Sequence, residues 1–265
     1  MSFLHALGNT GITVSALGLG TVKFGRNTGV KYPAAFELPT DAAIRDLLAV
    51  ARELGINTLD TAPAYGSSEE RLGQLLTNRN DWVVITKVGE EYDGTDSSFD
   101  FGAKHVRHSV ERSLKRLRTD HLDVVLIHSD GNDEQILRHT DCIATLRELQ
   151  QQGLIRAIGM STKTDAGGLL AAELLDVVMV TYNLQQQDRG VVERAHALNK
   201  GVLVKKGLMS GHVHNGATPQ DPVQQSMRLI LGTPGIHCMI VGTLNTDHLR
   251  SNVAAAVGAR HGVPN

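Results

Sequence analysis

Eight short β-branched runs alternate with longer helical patterns along almost the whole chain, and no other feature restricts the architecture as much. The runs are Ala16 to Thr21, Asn57 to Asp60, Trp82 to Val88, Leu122 to His128, Ile155 to Met160, Val177 to Tyr182, Gly201 to Lys206 and Ile236 to Val241. Several, such as "DVVLI", are nearly continuous apolar stretches, which suits strands covered on both faces of a parallel sheet. Between the runs, "DAAIRDLLAVARELG" sets Ile44, Leu47, Leu48 and Ala51 at helical spacing and supplies Gly55 as the C-terminal stop; "HVRHSVERSLKRL" behaves alike. Ser67, three residues before Glu70, predicts a capping box at the start of the helix in "SSEERLGQLL".

Eight βα units in 265 residues predict an α/β fold, a (β/α)8 TIM barrel, read as a single domain over residues 1–265. The competing doubly wound sheet needs a Gly-x-Gly-x-x-Gly turn that opens a helix after the first strand, whereas "GLGTVKFG" runs into a long polar loop. Asn9 to Gly11, between short apolar stretches, predicts an N-terminal β-hairpin capping the bottom of the barrel.

Charge and composition narrow the function. With 26 basic and 28 acidic residues, the net charge of -2 provides no broad field for nucleic acid or an anionic membrane. No apolar run approaches the roughly 20 residues that span a bilayer, and "MSFLHALGNTG" lacks the basic and apolar regions of a secretory signal. The expectation is a cytoplasmic monomer or small homo-oligomer with a small-molecule substrate and neither a nucleic-acid nor a membrane partner. Cys142 and Cys238 are far apart and read as buried thiols. His212 and His214 have no obvious acidic or cysteine companion, so no metal is expected there.

In a barrel, chemistry is assembled at the C-terminal ends of the strands. Asp60 ends the second run, Tyr65 follows it, Lys87 stands near the end of the third and His128 ends the fourth. Three successive strands thus deliver an acid, a phenol, an ammonium and an imidazole to one rim. Such a cluster suits proton transfer to a carbonyl oxygen: Lys87 would lower the phenol's pKa, Asp60 would keep Lys87 charged, and His128 would orient the substrate or share the proton. Taken singly, each residue also has an ordinary reading as a cap, a solvated charge, a packing aromatic or a loop histidine.

Together with "LGNTGITVSALGLGT", "GINTLDTAPAYGSSEERLGQLL", "VVITKV", "LDVVLIHSD" and "GLIRAIGMST", these residues resemble the motifs of the aldo-keto reductase superfamily, in order, from about Leu7 to Asn252. The resemblance implies Asp60, Tyr65, Lys87 and His128 as a catalytic tetrad, with Tyr65 as general acid for reduction and general base for oxidation. It implies an NAD(P) cofactor across the top of the barrel giving hydride directly to an aldehyde, ketone or aldose. The matching cofactor positions are Gly20, Thr21, Asp60, Ser161, Thr162, Lys205, Lys206, Leu208, Gly242, Thr243, Leu244, His248 and Asn252. Several depart from the family pattern. Thr162 stands for the usual asparagine, Met179 for a frequent glutamine, and Lys205 for the aromatic that often stacks on the nicotinamide. NADP(H) is favoured over NAD(H), but less than in many members, because Leu244 replaces the arginine that reads the 2'-phosphate; Lys205, Lys206 or Arg250 are the candidate substitutes.

Three loops are expected to shape an open pocket: "KFGRNTGVKYPAAFELP", "GEEYDGTDSSFDFGAKH" and "GHVHNGATPQ". Tyr92, Phe99 and Phe101 in the second read either as an aromatic wall or as part of a solvated loop. Two other functional readings remain at this level. One is a nucleotide-binding regulatory or redox-sensing barrel with little turnover; the other is a barrel isomerase or aldolase using Lys87 as a Schiff-base nucleophile.

Overall fold

The computed structural model describes residues 3–30, 32, 34–214 and 221–261. A β-hairpin, β1 (Leu4–Ala6) and β2 (Thr13–Ser15), comes first. The strands that follow are β3 (Leu17–Gly20), β4 (Thr58–Asp60), β5 (Val83–Val88), β6 (Glu90–Tyr92), β7 (Ser97–Phe99), β8 (Leu122–His128), β9 (Ile155–Ser161), β10 (Val177–Thr181), β11 (Gly201–Lys205) and β12 (Cys238–Val241). All of these except β6 and β7 close a parallel barrel, β3-β4-β5-β8-β9-β10-β11-β12 and back to β3. Its eight strands are the eight apolar runs of the sequence, each within one or two residues at either end.

The helices are α1 (Val22–Gly25), α2 (Asp41–Glu53), α3 (Ser68–Leu75), α4 (Ala103–Leu117), α5 (Asp133–His139), α6 (Cys142–Gln151), α7 (Asp165–Leu174), α8 (Arg189–Ala197), α9 (Pro222–Leu231) and α10 (Thr246–His261). No described helix is long and apolar enough to cross a membrane. In α2 the apolar stripe Ile44, Leu47, Leu48 and Ala51 is buried as its spacing requires, and Thr40 caps the helix by accepting from the Ala43 amide. The capping box is not formed at α3. Ser67 makes no side-chain cap, and it is Ser68 that is drawn inward, its hydroxyl donating to Thr21 O at 2.9 Å.

The barrel carries two apolar layers, and the two-residue period of a strand decides which side chain joins which. Val83, Ile85, Val124, Leu126, Ala157, Val177, Met179 and Leu203 fill the interior, and Leu7, Ile12 and Val14 of the hairpin close its lower end. Val84, Leu59, Val125, Ile158 and Val202 pack outward against the helices. Each strand therefore aims its last inward residue at the rim: Asp60 beyond Thr58, Lys87 beyond Ile85, His128 beyond Leu126, Ser161 beyond Gly159 and Lys205 beyond Leu203.

The β4–α3 turn is held by close backbone contact. Gly66 has φ +60°, and a Cβ there would lie 2.1 Å from Gly25 O. A Cβ on Gly25 would in turn stand 2.4 Å from Tyr65 O. Gly66→Ala is expected to cost about 2 kcal/mol or more from left-handed strain together with this clash. Urea unfolding measures it, and an unchanged midpoint would show that the turn relaxes freely.

Candidate active site

The inward rim residues surround a cavity of about 1350 Å³ at the C-terminal end of the barrel, extending to α9 and α10. Asp60, Tyr65, Lys87 and His128 all line it. Lys87 Nζ donates to Asp60 Oδ1 at 2.7 Å and to Thr61 O at 2.8 Å, and both side chains of the pair are almost wholly buried. The same Nζ stands 4.7 Å from the centre of the Tyr65 ring, and the His128 ring meets that of Tyr65 edge-on with centres 6.3 Å apart. Phenol, ammonium, carboxylate and imidazole form one contiguous group.

The electrostatics amend the sequence reading at Tyr65. Burial raises the phenol above its ordinary value by more than the Lys87 ammonium lowers it, so the hydroxyl keeps its proton through the neutral range. Burial works against the Lys87 ammonium, but Asp60, followed by Tyr65, holds it above its ordinary value.

His128 has a partner that the sequence did not reveal. Glu90, the first residue of β6, brings Oε2 to 2.7 Å from His128 Nδ1; its Oε1 accepts from Ser97 Oγ at 2.7 Å and lies 3.6 Å from Arg26 Nη1. Burial works against the Glu90 carboxylate, yet His128, Ser97 and Arg26 hold it down at about 2. His128 Nδ1 is buried and has no aligned hydrogen-bond partner, so Glu90 acts on the ring as a counter-charge at close range and favours a proton on the side that faces it. Burial, partly offset by Glu90, lowers His128 below its ordinary 6.5. Neutral His128 can thus accept from an alcohol, whereas protonated His128 can donate to a carbonyl oxygen. Carbonyl reduction is therefore expected to speed up as pH falls through the His128 titration below 6.5, with alcohol oxidation showing the opposite slope. Glu90→Gln should move the reductive limb to lower pH and cost about ten-fold at neutrality, the equivalent of about 1.4 kcal/mol lost with a close counter-charge. A profile identical to wild type would mean that Glu90 does not act on the ring.

The second loop is a hairpin, β6 paired antiparallel with β7. Its aromatics do not form a wall of the cavity. Tyr92 donates to Gly94 O and lies 2.6 Å from Thr28 Oγ1, with the Arg26 guanidinium 3.4 Å above its ring. Phe99 stacks beside Phe101, and Phe101 covers Gly89. The aromatic that enters the cavity is Tyr32 of the first loop, with Lys23 Nζ 4.0 Å over its ring. Arg71, from the α3 motif, secures that loop by donating to Phe24 O and Pro39 O, both at 2.6 Å. Residues 215–220 of the third loop and the side chain of His214 lie outside the described residues. Among the described residues no group of three or more potential ligands could hold a metal ion.

Gly20, Ser161, Thr162, Lys205, Lys206, Leu208, Gly242, Thr243, His248 and Asn252 line the cavity, as does Met179. Two of the anticipated cofactor positions do not. Thr21 is fully buried beneath the rim, where its hydroxyl donates to Asp60 O at 2.9 Å and meets Ser68 Oγ at 2.8 Å, so its role is to tie β3 to β4. Leu244 packs against the core formed with the helices. Arg250 is also withdrawn, paired with Glu53 at 3.2 Å. The first amides of α10 are capped by this chain itself, since Asn245 Oδ1 accepts from the amides of Asp247 and His248. Cationic charge at this cavity instead comes from side chains: Lys23, Lys163, Lys206 and Arg228 line it against Asp221, Lys87 being neutralised by Asp60. A Cβ on Gly20 would lie 3.0 Å from Ile240 Cγ2, and one on Gly242 would lie 3.2 Å from the Tyr32 hydroxyl. Gly20 thus packs directly on Ile240 and Gly242 faces the Tyr32 hydroxyl, and the cationic lining of the cavity favours an anionic ligand.

Comparison with known proteins points the same way. A model described as the Aldo/keto reductase family matches residues 16–230. Among curated proteins, an L-galactose dehydrogenase of Arabidopsis thaliana is 40% identical over 169 residues, 60% of this chain and 48% of that protein. The chain thus aligns with about half of that relative's length. An NADH-specific methylglyoxal reductase of Escherichia coli is 29% identical over 80% of this chain and 71% of its own. A solved structure from Pseudomonas aeruginosa, assigned to the aldo-keto reductases, superposes with a TM-score of 0.88 at 52% identity, covering 97% of this chain and 95% of that one.

Proposed function

This chain belongs to the aldo/keto reductase family of oxidoreductases, and from that premise we propose that it interconverts a carbonyl and an alcohol with a nicotinamide dinucleotide, Tyr65 serving as general acid and base. The observation that carries the reading is the buried Lys87–Asp60 pair set under the Tyr65 ring at the mouth of the cavity. A dinucleotide bound in the groove would supply the hydride, taken up at the carbonyl carbon. Ser161, Thr162, His248 and Asn252, which line the cavity, offer it polar contacts.

The protein's own part is the proton. As a carbonyl becomes an alkoxide, Tyr65 gives up the proton that burial has kept on its oxygen, and the Lys87 ammonium stabilises the phenolate left behind. Asp60 holds that ammonium in place, so the compensating charge is present before the reaction starts. His128 sets the angle of the substrate oxygen, and Glu90 sets the angle of His128. The Schiff-base reading at Lys87 loses support, because an ammonium held by Asp60 has no lone pair to attack with.

The sugar and small-aldehyde substrates in the names of the relatives set the first panel: aldoses, the matching sugar alcohols and lactols, and short aldehydes. Both NADPH and NADH belong in it. The pairing of Arg250 with Glu53 removes one candidate 2'-phosphate contact and leaves Lys205 and Lys206, with Arg228 beside them on the cavity wall. Cofactor consumption in either direction supports the proposal. Tight dinucleotide binding without turnover across the panel would favour a regulatory barrel, and absence of binding would overturn both readings.

A further inference from the structure

A second lysine stands at the rim, in surroundings opposite to those of Lys87. Lys205 continues the inward series of β11 after Leu203 and lines the same cavity as Tyr65 and His128. Its Nζ donates to Ser161 Oγ at 2.8 Å and to Thr162 O, and both acceptors are neutral. Among the described residues no carboxylate forms an ion pair with it. The nearest influential acids are committed elsewhere: Asp133 accepts from Ser129, the Lys163 and Thr164 amides and Thr164 Oγ1, and Asp188 accepts from the Thr181 amide and from Gln186. The charges of Lys206 and Lys87 oppose a third cation here.

An ammonium in a partly dry site persists only beside a counter-charge, so this amine sheds its proton easily. Burial first, and then Lys206, bring it down to about 7. Two hydrogen bonds donated to fixed oxygens leave the nitrogen lone pair free, the condition for a nucleophilic amine.

We propose that Lys205 is a carbonyl-capturing amine, which condenses reversibly with small unhindered aldehydes that enter the cavity. The nitrogen lone pair forms a bond to the carbonyl carbon, and a proton passes from nitrogen to oxygen to give a carbinolamine. The C–O bond then breaks, and the oxygen leaves as water with the second amine proton. One aldehyde and one amine thus give one imine and one water, with no oxidant or reductant consumed. The site takes aldehydes and excludes bulky ketones, because the attacking nitrogen is half enclosed by Ser161 and Thr162. This capture needs no hydride transfer, so it stands or falls separately from the oxidoreductase reading.

The test is reductive trapping of the full-length protein, free of dinucleotide, with propionaldehyde and cyanoborohydride at several pH values, followed by peptide mapping. Lys205 is expected to be alkylated at least about ten-fold faster than any other lysine at pH 7, since about half of its amine is neutral there against under one in a thousand for an ordinary lysine. The rate should climb through a midpoint near 7. Lys205→Met should lose the fast phase while the slow labelling of exposed lysines continues. Labelling of Lys205 no faster than that of exposed lysines would overturn the proposal, as would preferential labelling of Lys87.

Discussion

Tyr65→Phe is expected to lower kcat for carbonyl reduction by about 10²–10⁴-fold, the usual worth of a positioned proton donor, with affinity for the dinucleotide nearly unchanged. The change removes one oxygen and keeps the ring, so the edge-on contact with His128 and the position above Lys87 survive. What disappears is the proton that burial retains on the phenol and the oxygen whose developing charge Lys87 would offset. Stability should change little or even rise, since Tyr65 carries an unfavourable desolvation cost that phenylalanine lacks. Single-turnover kinetics together with dinucleotide titration separate these effects. Loss of binding in parallel with loss of rate would mean that the ring, not its hydroxyl, is what matters.

Lys87→Met has the second large effect, and it appears in stability as well as in rate. Asp60 would remain buried with its counter-ion gone, a change that costs about 3–5 kcal/mol where it has been measured for buried pairs. In a chain of this size that is a fall in Tm on the order of 10 °C. Adding Asp60→Asn should restore most of the stability, because an amide can be buried more cheaply than a bare carboxylate. It should restore none of the activity, since the phenolate would still lack its compensating charge. A double variant that remains as unstable as Lys87→Met would place the damage in lost packing of the lysine stem instead.

The barrel and the convergence of the four polar residues were legible because both follow from local rules. Continuous apolar runs of strand length, spaced by amphipathic helices, leave few ways to bury the chain, and a period of two residues fixes which side chain reaches the rim. Lys87 and His128 each end an inward series that starts from apolar neighbours, and Asp60 follows the inward Thr58 in the same way. Other features depended on contacts far apart in sequence. Glu90 lies 38 positions before His128, and only the turn of the chain into β6 brings the two together. A polar loop with three aromatics resembled a pocket wall, yet Arg26 and Thr28 on another loop gave Tyr92 a better place to pack. Ser67 had the spacing of a helix cap, but Thr21 and Thr61 drew Ser68 into a buried hydroxyl cluster and set the start of α3 differently. At Tyr65 the sequence suggested the sign of one influence, the nearby ammonium; burial, the larger one, depends on the whole rim. Lys205 could have been found by the same period-two count that singled out Lys87, since it follows Leu203 just as Lys87 follows Ile85.

The decisive experiment is isotopic: run the reduction once with nicotinamide dinucleotide carrying deuterium at C4, and once with unlabelled dinucleotide in deuterium oxide, and locate the label in the alcohol by NMR. Hydride transfer with Tyr65 as proton donor predicts deuterium on the carbinol carbon in the first case and only on exchangeable oxygen in the second. Solvent deuterium on carbon would contradict it, since that pattern belongs to enolisation or imine chemistry and would assign the Lys87–Asp60–Tyr65 group to a different reaction.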